Sequence, residues 1–166
     1  MMSLLDLFRW LDANLPGTFY LREATFAFSF LLTAHVVTMC LFFGLIIMMD
    51  LRLVGVGNLR TSPAEIQRRL FPWQIAGFIG NAITGVLLVY SKPLYYYGKG
   101  YFWLKLALMA LAGINAGIIH LITRRGQGGW DSGAAKLAGA ASLILWAGVL
   151  ITGRLIAYEW WTTEYF

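Results

Sequence analysis

The sequence predicts an all-α membrane protein: a four-transmembrane-helix bundle with an N-terminal interfacial amphipathic helix. The chain has 166 residues, 59% hydrophobic and 13% charged, which is too apolar for an ordinary soluble domain. Residues 24–49 contain no Asp, Glu, Lys or Arg over 26 positions. They would form about 39 Å of helix, more than a hydrocarbon core of ~30 Å requires. Seven Trp, eight Tyr and eleven Phe suit helices that end in aromatic belts.

Each segment follows from its pattern of apolar and charged residues. Residues 3–15 place leucine and phenylalanine at helical spacing before Pro16-Gly17. This segment is too short and too charged to cross a membrane, so we expect a retained helix that lies on the membrane surface. Four spans are expected within a single domain of residues 1–166, at about 24–50, 70–91, 101–123 and 137–158.

The basic residues between the spans predict the orientation. Seven Lys and Arg lie in the loops after the first and third spans, against four to six on the other side. The excess predicts that both loops are cytoplasmic and both termini periplasmic. The Lys and Arg behind the formal charge of +5 therefore set the membrane orientation, and no nucleic-acid partner is expected.

Small and polar residues in the spans predict where helices pack. The second span carries a stripe at three- and four-residue steps, formed by Gln74, Gly77, Asn81 and Thr84. Such stripes let helices approach closely and hydrogen-bond in lipid. In the third span, Gly113 and Gly117 form a GxxxG pair. We expect this face to be a close-packing face, within the bundle or in an oligomer.

Two histidines lie within the spans, His35 in the first and His120 in the third. Helix histidines are common haem ligands, so a haem b held by both residues is one hypothesis. His35 lies 15 residues, about 22 Å, above Asp50, whereas His120 lies four residues, about 6 Å, above Arg124. Axial ligands of one iron lie at nearly the same level, so this haem is not favoured, and His120 is the weaker candidate ligand.

Three hypotheses for His35 stay open. The first is a neutral imidazole in the bundle core, hydrogen-bonded to Thr84, Asn81 or Thr152. The second is a haem-iron ligand, alone or with a weak second ligand such as Met39. The third is a proton relay or a contact with quinone. An ionisable residue inside a membrane is a functional candidate by default.

Charged residues mark the inner boundary of the first span. We expect Asp50 to pair with an arginine of a neighbouring loop and Arg52 to meet lipid phosphate. The functional alternative is that they form one end of a proton path to His35.

Charged residues also mark the outer boundary. Lys105 and Arg154 lie there in the sequence, close to Glu23 and Glu159, and we expect salt bridges. The functional alternative is a cationic, cofactor-binding site for a quinone carbonyl, a haem propionate or an anionic lipid head group.

One pattern in the first span carries a resemblance to a known family. His35, Gly44 and the segment Asp50–Gly55 read H-x8-G-x5-D-L-R-L-x-G. This resembles an uncharacterised bacterial family of small four-helix inner-membrane proteins, as do Gly85, Lys105, Asn115 and His120. The resemblance covers about residues 22–125 and implies a four-span protein of the bacterial inner membrane, without implying a reaction. The chain is also broadly similar to cytochrome-b-like four-helix subunits, although it lacks paired histidines at matched depth.

The sequence contains no motif of a hydrolase, a transferase or a zinc site, so no catalytic residue is proposed. We expect a non-catalytic integral membrane subunit of a larger complex that handles electrons or quinone. The alternative is a membrane b-type cytochrome or quinone-reactive electron carrier that uses His35. A small transporter is the third hypothesis, for which only Gly80-Asn81 and Gly85 suggest the broken helix required.

Overall fold

The computed structural model describes residues 3–14, 26–57, 59–124 and 132–158. All regular structure in these ranges is helical. The helices are α1 (Leu4–Asn14), α2 (Ala27–Val54), α3 (Pro63–Ser91), α4 (Pro93–Tyr97), α5 (Gly100–Arg124) and α6 (Gly133–Leu155), and a 3-10 turn, Ile156–Tyr158, follows α6. By length and composition, α2, α3, α5 and α6 can each cross a membrane. The expected all-α fold with four spanning helices is confirmed.

The ends of α2 and α3 differ from the expected bounds because local capping extends both helices. At the end of α2, Gly55 adopts a left-handed φ of 90°, and its N–H donates to the Leu51 carbonyl oxygen at 3.1 Å, as in common helix C-caps. At the start of α3, the Ser62 hydroxyl accepts from the Glu65 N–H at 3.2 Å and Pro63 occupies the first turn. Both features favour a helix N-terminus, so α3 begins well before residue 70.

Helix α3 is continuous where a transporter would need a break. It runs from Pro63 to Ser91 through Gly80, Asn81 and Gly85. The two sequence features that suggested a discontinuous helix therefore lie within one unbroken element.

The four long helices pack unevenly. Helix α2 packs extensively against α3 and also against α6, and α5 packs against α6, whereas close backbone contact between α3 and α5 is sparse. Side chains fill the centre, where Phe42, Ala112, Trp146 and Val149 form one buried cluster. A second cluster lies around the end of α2 and comprises Met49, Leu53, Ile66 and Ala135.

Helix α1 packs on the aromatic segment between α3 and α5. The Phe8 ring lies 5.0 Å from the Tyr97 ring and 6.3 Å from the Trp103 ring, measured between centroids. The Trp103 indole N–H donates to the Tyr97 carbonyl oxygen at 2.9 Å. These contacts place α1 at the end of the bundle where α3 ends and α5 begins. Its location at the membrane surface stays a prediction.

Candidate functional site

His35 joins α2 to α3 through side-chain hydrogen bonds. The residue is 9% exposed, and its Nδ1 lies 2.9 Å from Thr84 Oγ1 and 3.4 Å from Asn81 Nδ2. Asn81 Nδ2 also donates to the His35 carbonyl oxygen at 3.1 Å. The expected hydrogen bonding of His35 to Thr84 and Asn81 is confirmed. Thr152 bonds instead to the Gly148 carbonyl oxygen of its own helix at 2.7 Å.

The remaining stripe residues of α3 also face α2. Gln74 Nε2 donates to the Leu45 carbonyl oxygen at 3.3 Å. A Cβ at Gly77 would meet the backbone and Cβ of Phe42 at 3.1–3.2 Å, closer than most real Cβ contacts. The predicted stripe is therefore the face on which α3 approaches α2, and its polar members are used in bonds between the two helices.

Gly85 provides space for the imidazole. A Cβ at this position would lie 3.2 Å from His35 Cε1, so a larger residue would push against the ring edge. The ring therefore faces α3, where Nδ1 lies within hydrogen-bond distance of Asn81 and Thr84 and Gly85 leaves room for Cε1.

A small cavity lies beside this cluster and is lined by all four long helices. Its volume is about 20 Å³, and its polar lining residues include Asn81 of α3 and Lys105 of α5. A volume of ~10–15 Å³ on this measure holds one water molecule, so the cavity accommodates about one. The Lys105 side chain lies against α6, where its Nζ would be 3.3 Å from a Cβ at Gly153.

The two imidazoles stand at different heights. Lys105 lies beside the His35 cluster, and His120 follows it by 15 residues on the continuous helix α5, which is about 22 Å along the axis. His120 is exposed on that helix. The arrangement agrees with the depth difference expected from the sequence and does not bring the two rings together.

Arg154 does not join Lys105 in a shared cationic site. Its side chain is exposed, its Nη2 donates to the Tyr158 hydroxyl at 2.9 Å, and its guanidinium carbon lies 5.1 Å from the centre of that ring. The predicted glutamate partners, Glu23 and Glu159, lie outside the described residues.

Asp50 is placed differently from the sequence expectation. It is 3% exposed and hydrogen-bonds through its carboxyl to the Ser142 side chain of α6. No arginine of the described side chains binds it. Arg52 Nε donates to the Thr61 carbonyl oxygen at 2.9 Å, which ties the loop after α2 to the helix. The expected ion pair between Asp50 and a neighbouring arginine is therefore not formed with any described arginine.

Gly113 and Gly117 face outward rather than into the bundle. Both are exposed, and a Cβ at either position would meet no atom within 4 Å outside its own helix. Of the two expected alternatives, packing within the bundle is not observed among the described residues, and packing in an oligomer stays a prediction. The close contact of α6 with α2 is made instead at Gly139, where a Cβ would lie 2.9 Å from Leu53 Cβ.

Sequence reasoning did not assign partners to Ser142, Gly85 or Gly139. Ser142 and Gly139 lie on one side of α6 three residues apart, and that spacing was the available signal for a buried face. Gly85 follows Thr84 directly, and no spacing in the sequence marks it. Its contact with the His35 ring becomes evident only from the packing of α2 against α3.

Protein-family models, curated protein sequences and solved structures gave no match to the chain.

Proposed function

We propose that this protein is a non-catalytic integral membrane subunit that packs into a larger membrane complex, one that handles electrons or quinone. The observation that carries the proposal is the division of α5 into two faces. One face packs on α6, where Asn115 Nδ2 donates to the Ala138 carbonyl oxygen at 2.9 Å. The other presents Gly113 and Gly117, whose Cβ positions have no atom of another described element within 4 Å. Small residues on a lipid-facing surface allow another helix to approach closely.

The interior supports a packing function over a catalytic one. The polar side chains of the α2–α3 interface bond to one another or to backbone carbonyls, at His35, Asn81, Thr84 and Gln74. Bonds of this kind hold helices together in lipid. The cavity beside them has room for about one water, far less than the ~300–1,000 Å³ of a typical ligand pocket. A quinone or haem handled by the complex would not fit into this cavity.

The test is the size of the particle purified from native membranes in mild detergent. Native mass spectrometry is expected to show a mass well above the 18.6 kDa of one chain. Gly113→Leu and Gly117→Leu are expected to reduce the assembled fraction. Gly44→Leu is the matched control, because Gly44 is exposed on α2 with nothing within 4 Å of its Cβ position. A monomer in the wild type, or equal loss from all three variants, would contradict the proposal.

A second candidate function is electron transfer with His35 as an iron ligand. His35 Nδ1 is engaged by Thr84 and Asn81, and Nε2 has no hydrogen-bond partner among the described residues. An iron-bound imidazole commonly has its other nitrogen held in this way. Lys105, which lines the same small cavity as Asn81, would suit a propionate or a quinone carbonyl.

Visible absorption of the purified complex and of the isolated chain tests this candidate. A Soret band that persists in the isolated chain and is lost in His35→Ala would favour it. Absorption that stays with the partner subunits, or a colourless preparation, would remove it.

We also propose that the protein lies in the bacterial inner membrane, with the loops 55–62 and 125–132 cytoplasmic and both termini periplasmic. Counted over 52–69 and 124–136, the cytoplasmic side holds seven Lys and Arg against four to six on the other side, which supports this orientation. The His35–Gly44–Asp50 pattern, which resembles a family of small four-helix inner-membrane proteins, supports the compartment.

A further inference from the structure

Asp50 lies where a charged carboxylate is costly. It is 3% exposed and lies beside the buried cluster formed by Met49, Leu53, Ile66 and Ala135. The neighbouring helix approaches closely, because a Cβ at Gly139 would lie 3.3 Å from the Asp50 carbonyl oxygen. Moving an unpaired charge from water to such surroundings is strongly unfavourable, even after the protein relaxes around it.

The bonds available to the carboxyl are too few for a carboxylate. The Ser142 side chain supplies one hydrogen bond. Asp50 Oδ2 is fully buried and has no hydrogen-bond partner among the described residues. An ionised carboxylate has about four lone-pair sites to satisfy, whereas an unpaired oxygen of a neutral acid carries a much smaller penalty.

No described charged group neutralises Asp50. Arg52 of α2 donates to the Thr61 carbonyl oxygen, and on α3 Glu65 pairs with Arg68 and Arg69. Lys136 of α6 and His120 of α5 are exposed. A metal ion is the other way to balance a carboxylate. Among the described residues, no group of three or more His, Cys, Asp and Glu could hold one.

We propose that Asp50 carries its proton in the folded bundle, so that the contact between α2 and α6 is a proton-binding site. The neutral carboxyl and the Ser142 hydroxyl join the two helices without a buried charge. The sequence interpretation of Asp50 as half of an ion pair is thereby replaced by a hydrogen-bonded acid. This inference is independent of the partner complex proposed above.

Infrared spectroscopy of the full chain in lipid tests the proposal. At pH 7, the wild type is expected to show the carbonyl band of a protonated carboxylic acid, and Asp50→Asn is expected to lose it. Asp6→Asn is the control, because Asp6 is exposed and hydrogen bonds from Ser3 lower the pKa of its carboxyl. That variant should lose carboxylate absorption and keep the acid band.

Ser142→Ala provides a second readout that retains Asp50. Loss of the Ser142 bond should move the acid band to higher frequency, because a hydrogen bond to a carbonyl weakens its stretch. Absence of an acid band in the wild type would overturn the proposal. It would equally be overturned if the band survived Asp50→Asn. A band that is lost in Asp50→Asn but unmoved in Ser142→Ala would overturn the assignment of Ser142 as the partner of the carboxyl.

Discussion

The Nδ1 atom of His35 lies 2.9 Å from the hydroxyl oxygen of Thr84, and this contact bridges α2 and α3 in the centre of the bundle. The Asn81 amide reinforces it by donating to the His35 carbonyl oxygen. Lipid cannot supply hydrogen bonds to these groups, so the His35 ring depends on α3 for its partners. The Thr84 hydroxyl also donates to the Gly80 carbonyl oxygen of its own helix at 2.8 Å. The pair therefore contributes both to the affinity of the two helices and to their register.

Removing the Thr84 hydroxyl should weaken the α2–α3 interface. Thr84→Val keeps the shape of the side chain but removes the partner of His35 Nδ1, and we expect a loss of about 1 kcal/mol in the free energy of unfolding. Thr33→Val is the control, because the exposed Thr33 hydroxyl bonds within α2 to the Ser29 carbonyl oxygen. Reversible unfolding in mixed micelles measures both. Equal stability of the two variants would show that the bridge has no energetic weight.

A methyl group at Gly77 should separate α2 from α3. It would meet Phe42 Cα, Cβ and N at 3.1–3.2 Å, and backbone atoms cannot move aside as a flexible side chain does. We expect Gly77→Ala to destabilise the fold by about 1–3 kcal/mol. Gly113→Ala should be neutral or slightly stabilising in the isolated chain, since nothing lies within 4 Å and alanine favours helix. The reverse order of stabilities would contradict the packing described here.

The sequence predicted which residues share a face, but it did not always predict what that face meets. The stripe containing Asn81 and Thr84 is polar, and its polar groups need protein partners in lipid; the prediction that it faces another helix was therefore confirmed. Gly113 and Gly117 have no such requirement, because a glycine is equally compatible with lipid and with a helix. Their spacing could not distinguish an internal contact from an open surface.

Two further differences come from tertiary structure and local capping. The partner of Asp50 depends on the approach of α6 at Gly139, which no spacing within α2 encodes. The early start of α3 was encoded locally, by Ser62, Pro63 and Glu65. It was missed because the apolar run alone defined the expected span.

Tyr96 should titrate unusually late and make the fold sensitive to alkali. Burial, and to a smaller extent Tyr95, raise the pKa of its hydroxyl to about 12, above the ~10 of an unfolded chain. Below pH ~10 both states hold the proton. Between ~10 and ~12 the unfolded state loses it first, so stability falls as pH rises. Ultraviolet titration of tyrosinate should lose its last step in Tyr96→Phe and keep it in Tyr158→Phe, where the side chain is exposed.

The alternating passage of the four long helices through the membrane underlies every proposal above. The most direct test labels single cysteines with an impermeant maleimide in a Cys40→Ala background. Leu59→Cys precedes α3 and Lys92→Cys follows it, and both positions are exposed. We expect the two cysteines to react from opposite sides of the membrane, with Leu59→Cys labelled from the cytoplasm. Labelling of both cysteines from the same side would contradict it.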